Sequence, residues 1–388
     1  MKFLRDFNFK GKKVLFRADF NIPLNKNKEI SSQEDWRIQA TLPSINYLLE
    51  QGASIILLTH LGRPSGKIRE DLRLDVVVER LKKLLKKDIT KLDSCIGLEV
   101  EDKIKNINSG EIIVLENIRF YPEEENNDRD FSKTLASYGD IYVNDAFSVS
   151  HRSHASIVGI PEFLPSCAGL LFEKEINALS GVLEKQKRPL VVIIGGAKIS
   201  SKIKFIKKFL NKADDLLLGG ALANTVIAAK GFAIGKSVSE EKMIEDVKKM
   251  NLTDIKLHLP VDAIASSDSL GKKEFRIAPI GKTREDEMIL DIGPDTINLF
   301  NNIISKAETI IWNGPMGVIE LKESINGSRQ IAKSIVNSDA FSIVGGGDSI
   351  FLLEKINLLN KIDHICTGGG AMLEFLTEEN LPGIEALK

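Results

Sequence analysis

Short apolar runs rich in β-branched residues recur along the whole chain and constrain its fold more than any other feature. They lie at residues 13–16, 54–59, 111–115, 141–143, 190–194, 215–218, 309–311 and 341–344. Runs that are apolar on both faces are typical of buried parallel strands. Helical periods separate them, such as Ile38, Leu42, Ile45 and Leu49 before Gly52. This alternation predicts an α/β fold in which helices cover parallel sheets.

The division of the chain is indicated by its length and by one amphipathic stretch. The 388 residues correspond to two or three domains at about 150 residues each. Residues 170–187 have the apolar spacing of a long helix, and Pro189 then opens a fresh strand. Several strands lie on either side, so we predict two similar-sized doubly wound lobes joined by this helix.

Charge and cysteine content narrow the functional class. Lys plus Arg total 53 against 54 for Asp plus Glu, a net charge of -1, so we expect no nucleic-acid or membrane partner. Cys95, Cys167 and Cys366 are far apart, which argues against a disulfide framework or a zinc site. The charged amino terminus and the lack of a long apolar run favour a cytoplasmic protein.

Arginine and histidine follow the strands of the first half. Carboxyl ends of parallel strands meet at one edge of a sheet, so we expect these side chains to form one cationic bowl for a small anionic ligand. For any single arginine, a solvated surface position is the alternative. The polar and basic residues involved are Arg17, Asp19, Asn21, Arg37, His60, Arg63, Arg119, His151, Arg152 and His154.

Glycine follows the strands of the second half, at 195–196, 219–220, 314, 345–347 and 368–370. Glycine lets backbone amides approach a ligand, and a following helix start favours phosphate, so this half is typical of a nucleotide lobe. Tight turns are the alternative. The Walker A fingerprint is missing, because Lys230 stands where its first glycine belongs. The dinucleotide fingerprint is missing as well, because Ile350 and Leu373 stand where its last glycine belongs. Neither a P-loop ATPase nor an ordinary NAD enzyme is supported.

Two lysines and one aspartate in this half are candidates for phosphate chemistry. Lys198 and Lys202 are predicted on the first turns of one helix, where both could face a phosphoryl group; a solvated lysine-rich helix is the alternative. Asp348 follows three glycines and is either a magnesium ligand or a helix N-cap.

Long ordered strings in this sequence resemble the phosphoglycerate kinase family over essentially the full chain. They include Arg17-Ala-Asp-Phe-Asn-Ile-Pro23, His60-Leu-Gly-Arg-Pro64, His151-Arg-Ser-His-Ala-Ser156, Gly195-Gly-Ala-Lys198, Trp312-Asn-Gly-Pro-Met-Gly317 and Gly345-Gly-Gly-Asp-Ser349. The resemblance implies reversible phosphoryl transfer between 1,3-bisphosphoglycerate and ADP, giving 3-phosphoglycerate and ATP. It also implies Mg²⁺, a monomer and hinge closure.

The resemblance further implies a role for individual residues. Those that bind phosphoglycerate would be Asp19, Asn21, Arg37, His60, Leu61, Gly62, Arg63, Arg119 and Arg152. Those that bind the nucleotide would be Lys198, Lys202, Gly219, Gly220, Ala221, Asn313, Glu320, Gly346, Gly347, Asp348 and Ser349. Arg37, Lys198 and Lys202 would be catalytic, Asp348 would hold magnesium, and the amides of Gly368, Gly369 and Gly370 would stabilise anions.

The implied domains are residues 1–170 plus 368–388 for phosphoglycerate, an interdomain helix at 171–188 and a nucleotide domain at 189–367. The sequence departs from the family pattern at Ile22, at 148–150, at Cys366 and at Met372, and modification of the Cys366 thiol is hypothesised to perturb closure. Two other classes stay open. A catalytically silent scaffold would predict loss of charged site residues, and an NAD-dependent dehydrogenase would require the missing dinucleotide motif.

Overall fold

The chain forms two compact units and passes between them twice. The computed structural model describes residues 1–24, 30, 35–268, 274–378 and 380–388. One unit comprises Met1–Ala178 and Glu378–Lys388, and the other comprises Leu179–Thr377. The predicted linking segment contains a helix at Leu170–Glu184, within which the division falls. The family resemblance implies a C-terminal tail that returns to the first lobe from residue 368, whereas the returning segment in the structure begins at Glu378.

The described residues contain fifteen β-strands, and each of the eight apolar runs overlaps one of them. The strands are β1 (Lys13–Arg17), β2 (Ser54–Leu58), β3 (Thr90–Lys91), β4 (Ile112–Val114), β5 (Ile141–Asn144), β6 (Ser166–Ala168), β7 (Leu190–Ile194), β8 (Asp215–Leu218), β9 (Leu257–His258), β10 (Asp262–Ser266), β11 (Arg276–Pro279), β12 (Met288–Ile292), β13 (Thr309–Asn313), β14 (Phe341–Gly345) and β15 (His364–Cys366).

The described part of the chain contains fourteen α-helices, of which twelve precede β15 and two follow it. The helices are α1 (Trp36–Glu50), α2 (Asp75–Leu85), α3 (Leu98–Lys105), α4 (Pro122–Glu125), α5 (Arg129–Ala136), α6 (Leu170–Glu184), α7 (Ile203–Lys212), α8 (Gly220–Ala229), α9 (Ile244–Lys248), α10 (Pro294–Ile304), α11 (Asn326–Val336), α12 (Gly347–Lys355), α13 (Gly369–Glu378) and α14 (Pro382–Glu385). None of them is long and apolar enough to cross a membrane.

The first unit is built on a six-stranded parallel sheet in the order β3-β4-β2-β1-β5-β6. Its central strands are buried on both faces, as their unbroken apolar sequence predicts. Helix α2 covers part of the core with Val77, Val78 and Leu81, and its polar residues face solvent. The strand order reverses between β1 and β5, and a ligand crevice is expected outside the carboxyl ends at such a point.

The second unit repeats this plan with the order β15-β14-β13-β7-β8-β9, again fully parallel. Its switch point lies between β7 and β13, and Trp312 is fully buried in the core there. The α/β prediction, with two doubly wound sheets, is confirmed.

A third sheet in the second unit was not predicted. It is antiparallel, in the order β11-β10-β12. Its strands contain Asp262, Ser266, Arg276 and Asp291 among their apolar residues, so they lack the uninterrupted apolar runs that marked the parallel strands. Strand β12 brings residues 288–292 to the wall of a cavity described below.

Candidate functional site

The first unit places Asp19 at the centre of a polar cluster beyond the carboxyl ends of β1 and β2. Its carboxylate is 7% exposed and accepts hydrogen bonds from the Arg37 guanidinium and the Ser148 hydroxyl. The Asn21 amide donates to the same carboxylate at 2.9 Å. Burial raises the pKa of Asp19, but Arg37, His60 and these hydrogen bonds together lower it well below its usual range. Asp19 is therefore a fixed negative charge among cations.

His60 is a neutral member of this cluster. Its ring is almost fully buried, its Nδ1 lies 3.3 Å from the Arg17 guanidinium, and Asp19 Oδ1 is 3.8 Å away. Burial lowers the pKa of His60 well below its ordinary value; Asp19 opposes this shift, whereas Arg119, Arg17 and Arg37 add to it. A neutral imidazole can orient a ligand by hydrogen bonding without titrating near neutral pH.

Gly62 connects two of the predicted ligand-binding side chains. Its amide donates to Asn21 Oδ1 at 2.8 Å, and its carbonyl accepts from Arg119 at 3.0 Å. Its φ of +65° suits glycine in this turn. The neighbouring Leu61 is buried, and its carbonyl accepts from Asn117 Nδ2 at 2.8 Å. The sequence string from His60 onward thus supplies backbone as well as side chains to the cluster.

Arg119 retains an unused donor. It is 8% exposed, and its Nε makes no hydrogen bond in the described part of the chain, although Glu125 Oε1 lies 3.7 Å away as an ion-pair partner. Burial, together with Arg17, lowers the pKa of Arg119. A buried guanidinium with a free N–H is suited to an incoming anion, because an unsatisfied charged donor is costly.

The remaining predicted cations of this unit differ in exposure. Arg63 and Arg152 are exposed, which leaves both able to turn toward a ligand. Half-buried His151 and His154 each leave Nδ1 without a partner among the described residues. Burial and the arginines around them lower the pKa of each histidine to about 4. Both rings are therefore neutral at physiological pH.

Sequence reasoning placed Arg17 in the cationic bowl, but it missed the contact of Ser148. Arg17 is fully buried, and its Nε donates to Ser156 Oγ at 2.8 Å. Ser148 reaches Asp19 across 129 positions of sequence. A buried arginine ending a strand was a usable signal for the first residue, whereas no local pattern marked the second.

In the second unit, glycines bring the ends of β7 and β13 into close contact. The Gly195 amide donates to the Asn313 carbonyl at 2.9 Å, and the Gly196 amide donates to the Pro315 carbonyl at 2.8 Å. A Cβ added to Gly195 would lie 2.0 Å from the Pro315 oxygen and 2.6 Å from the Met316 methyl carbon. Glycine is therefore required at this position by sterics.

We expect Gly195→Ala to destabilise the second unit by about 1–3 kcal/mol, because backbone must move to admit the methyl group. Thermal and urea unfolding of the variant measure the effect. Gly181→Ala is the matched control, since a Cβ there meets nothing within 4 Å and the position lies in helix α6. If the two variants had the same free energy of unfolding, the close backbone approach at Gly195 would not restrict this position to glycine.

The predicted helix through Lys198 and Lys202 is wrong, because residues 197–202 form a loop and α7 begins only at Ile203. The Lys202 amide donates to the Ile199 carbonyl at 2.8 Å in a turn. Ser200 in this loop pairs with Glu240, which accepts from its amide at 2.9 Å and its hydroxyl at 2.6 Å. Lys198 is therefore exposed, on a loop that the hydrogen bonds between Ser200 and Glu240 hold in place.

Lys202 is half-buried beside the two strand ends. Its Nζ donates to the Gly195 carbonyl at 2.7 Å and lies 3.5 Å from the Asn313 carbonyl. Burial lowers the pKa of Lys202 to about 8, although the carboxylate of Asp348 acts in the opposite direction. This ammonium group is incompletely compensated, so a bound anion would stabilise its charged form.

A cleft of about 360 Å³ opens beside these lysines. We call it the glycine cleft, and its lining includes Lys198, Lys202, Asn313, Gly346, Gly347, Asp348, Gly369 and Gly370. Asn313 is 3% exposed and its Nδ2 has no hydrogen-bond partner among the described residues. A Cβ on Gly369 would lie 2.6 Å from the Gly346 Cα atom, so the two glycine turns approach each other closely.

Helix α12 begins at this cleft. Its N-cap is Gly346, with a φ of +101°, which excludes the alternative that Asp348 is the cap. Asp348 is instead the second helical residue, with an exposed side chain. The next residue, Ser349, is buried, and its Oγ accepts from the Gly314 amide at 2.8 Å. Gly347 lines the cleft at the first turn of the helix, where amides lack helical partners.

The terminal glycines belong to the same region. Gly369 and Gly370 line the cleft at the start of α13, whereas Gly368 is buried behind them. The Gly368 carbonyl accepts from the Met372 amide at 2.8 Å. Cys366 is fully buried, so its hypothesised modification would require local opening.

An apolar cavity of about 310 Å³ adjoins the glycine cleft and shares Gly196, Ala197 and Asp348 with it. We call it the apolar cavity. Gly220, Ala221 and Glu320 line it, as do Val238, Ile289, Met316 and Val318. Gly219 lies just before α8, where a Cβ would be 2.4 Å from the Met316 sulfur. The Gly220 amide donates to the Met316 carbonyl at 2.9 Å.

Each unit thus carries a polar candidate site at a switch point. The first holds arginines around the Asp19 carboxylate, and the second holds the glycine cleft beside the apolar cavity. The chain is a two-unit α/β protein with one candidate ligand site in each unit.

The comparisons identify the family. The family model for phosphoglycerate kinase matches residues 4–379. A phosphoglycerate kinase of Dictyoglomus turgidum is 48% identical over 390 residues, covering 99% of this chain and 98% of the relative. One of Moorella thermoacetica is 43% identical over 388 residues, with 99% and 98% covered. The chain belongs to the phosphoglycerate kinase family.

Solved structures agree with this assignment. A phosphoglycerate kinase from Pyrococcus horikoshii OT3 matches with a TM-score of 0.88 and 36% identity, covering 100% of this chain and 98% of that one. One from Coxiella burnetii matches with a TM-score of 0.84 at 36% identity and the same coverage. The family resemblance inferred from the sequence motifs is confirmed.

Proposed function

We propose that this protein transfers a phosphoryl group reversibly between 1,3-bisphosphoglycerate and ADP, giving 3-phosphoglycerate and ATP. The observation that carries the proposal is the glycine cleft, where two lysines, an unpartnered buried amide and glycine backbone converge beside the apolar cavity. This arrangement suits a nucleotide whose base enters the cavity and whose phosphates enter the cleft.

We assign the phosphoglycerate to the first unit. Arginine is suited to bidentate pairing with the carboxylate and phosphate of this ligand. The fixed charge of Asp19 can accept a hydrogen bond from the ligand hydroxyl while it orients Arg37. The proposed contacts are Asp19, Asn21, Arg37, His60, Leu61, Gly62, Arg63, Arg119 and Arg152.

We assign the nucleotide to the second unit. Gly219, Gly220 and Ala221 would lie against the base, and Glu320 would accept from ribose hydroxyls. The phosphates would meet the lysines, the Asn313 amide and backbone of the three glycine turns. The proposed cleft contacts are Lys198, Lys202, Asn313, Gly346, Gly347, Asp348, Ser349, Gly368, Gly369 and Gly370.

Asp348 fits a magnesium ligand. Its exposed carboxylate lines both the cleft and the cavity. Mg²⁺ is commonly held by one or two carboxylates together with substrate phosphates and water. When bound, the ion would neutralise charge on the nucleotide phosphates.

The chemistry asks for charge stabilisation rather than a catalytic base. The acceptor in the ATP-consuming direction is a carboxylate, which is already ionised at neutral pH. Arg37, Lys198 and Lys202 would therefore act by stabilising negative charge on the transferring group. Direct transfer also requires that the two ligands meet in line with water excluded, and hinge closure about the linking helix is the motion that the resemblance implies.

The pKa of Lys202 predicts a pH limit on nucleotide use. Because Nζ loses its proton as pH rises through about 8, kcat/KM for MgATP should fall above that pH, while protonated Lys202 supports full binding below it. Initial rates from pH 6.5 to 9.5 measure the profile. Lys202→Arg, which does not titrate in this range, should lose this fall; an identical profile for both proteins would contradict the assignment.

A coupled assay tests the proposed reaction. Purified protein receives 3-phosphoglycerate and MgATP, and glyceraldehyde-3-phosphate dehydrogenase reports acyl phosphate through NADH oxidation. We expect turnover that requires both substrates and stops when EDTA removes magnesium. Folded protein that binds ATP without turnover would support the silent scaffold instead, and binding of NAD would support the dehydrogenase.

We also propose that the enzyme acts as a cytoplasmic monomer, without nucleic-acid or membrane partners. Its near-neutral net charge and the family resemblance support this. Sedimentation velocity at several concentrations should give one species of monomer mass, and a concentration-dependent larger species would contradict it.

A further inference from the structure

Glu240 binds the loop that carries Lys198. Glu240 itself lines neither the glycine cleft nor the apolar cavity. Its two carboxylate oxygens accept separately from Ser200, one from the amide at 2.9 Å and one from the hydroxyl at 2.6 Å. Ser200 lies two residues beyond Lys198. Ile199, between them, is fully buried. The loop is therefore held by an apolar anchor and a two-point polar contact.

Glu240 is itself attached to the helix that borders the apolar cavity. Its amide donates to Thr225 Oγ1 at 3.0 Å, and Thr225 is fully buried in α8. Two residues earlier, the Val238 carbonyl accepts from Asn224 Nδ2 at 3.1 Å. Val238 and Asn224 both line the apolar cavity. Residues 238–240 thus join the cavity wall to the Lys198 loop.

The electrostatics favour an ionised carboxylate in this contact. Partial burial raises the pKa of Glu240, but the Ser200 hydroxyl, the Ser200 and Ile199 amides and the charge of Lys198 together lower it by more. Hydrogen bonds to an ionised acceptor are about twice as strong as neutral ones. The contact can therefore hold an exposed loop that has no helical pairing of its own.

We propose that Glu240 is a positioning residue that fixes Lys198 relative to the base pocket, so that the lysine meets the nucleotide phosphates when the base is seated. This inference rests on the proposed nucleotide site. It assigns no contact between Glu240 and ligand, because Glu240 lines neither the glycine cleft nor the apolar cavity. Loss of Glu240 should therefore weaken recognition of phosphates and leave recognition of the nucleoside unchanged.

Binding of ADP and of adenosine, each titrated calorimetrically into the same protein, separates these effects. Glu240→Ala should weaken ADP binding by about tenfold, the loss of a charge-assisted contact, while adenosine affinity stays within about twofold. Glu241→Ala, an exposed neighbour, is the control and should bind both as wild type does. In turnover assays, Glu240→Ala should lower kcat with an unchanged KM for 3-phosphoglycerate.

Two further variants guard against a folding artefact. Ser200→Ala keeps the hydrogen bond from the backbone amide to Glu240 and should show a smaller loss of ADP affinity. The double variant should bind ADP no more weakly than Glu240→Ala alone. Glu240→Gln should fall between wild type and alanine. ADP affinity unaltered in Glu240→Ala, or equal loss for ADP and adenosine, would overturn the inference. Failure of wild type to bind ADP would reject the proposed nucleotide site itself.

Discussion

Lys198→Ala is expected to lower kcat by roughly 10²–10³-fold, the scale of removing one preorganised charge from a transition state. The residue is exposed at the glycine cleft on a loop whose anchors are Ile199 and Ser200, so its removal should not disturb packing. Steady-state kinetics in the ATP-consuming direction measure the loss, and thermal unfolding should give the wild-type midpoint.

Lys207→Ala is the matched control for this variant. Lys207 is an exposed lysine of α7 in the same unit and does not line the cleft. Its variant should retain turnover within about twofold. A Lys198→Ala enzyme with unchanged kcat, or a Lys207→Ala enzyme with the same loss, would contradict a specific role for Lys198.

Arg37→Met is expected to be comparably damaging, with kcat lower by at least about 10²-fold. Its guanidinium stands in the first-unit cluster, where it donates to Asp19 while its side chain stays 18% exposed to a ligand. Arg37 is the largest of the contributions that lower the pKa of Asp19. The variant therefore loses one of the cations proposed to bind the ligand. It also loses the charge that does most to lower the pKa of Asp19.

Measurements of ligand binding should show that the effect of Arg37→Met is confined to the first unit. ADP affinity of Arg37→Met should match wild type, whereas the KM for 3-phosphoglycerate should rise. Arg69→Met is the control, since Arg69 is an exposed arginine paired with Asp71 and should be neutral. Weakened ADP binding in Arg37→Met would show a general defect and contradict this assignment.

Much of the fold was predictable because its central strands are buried on both faces. Runs such as 54–59 and 190–194 can be recognised as strands without knowing which other strands they pair with. The antiparallel sheet was not predictable in this way, since β10 and β12 interrupt short apolar stretches with acids. Strands β3 and β9 have two residues each, too few for any period to appear.

The candidate site was predictable where it depends on topology. Arginines, histidines and glycines that follow parallel strands must share one edge, which brought Asp19 near His60 and Gly195 near Asn313. Contacts between distant segments were not predictable. Ser148 reaches Asp19 over 129 positions, and Glu240 reaches Ser200 over 40.

The most direct test of the central proposal follows one phosphoryl group. Glyceraldehyde-3-phosphate dehydrogenase, supplied with unlabelled glyceraldehyde 3-phosphate, NAD and radiolabelled inorganic phosphate, oxidises the aldehyde and forms 1,3-bisphosphoglycerate labelled only in its acyl phosphate; this protein and MgADP are then added. We predict that the label appears in the γ-phosphate of ATP in step with NADH formation. Label that stays in the acyl phosphate, or returns to inorganic phosphate without labelled ATP, would contradict the account.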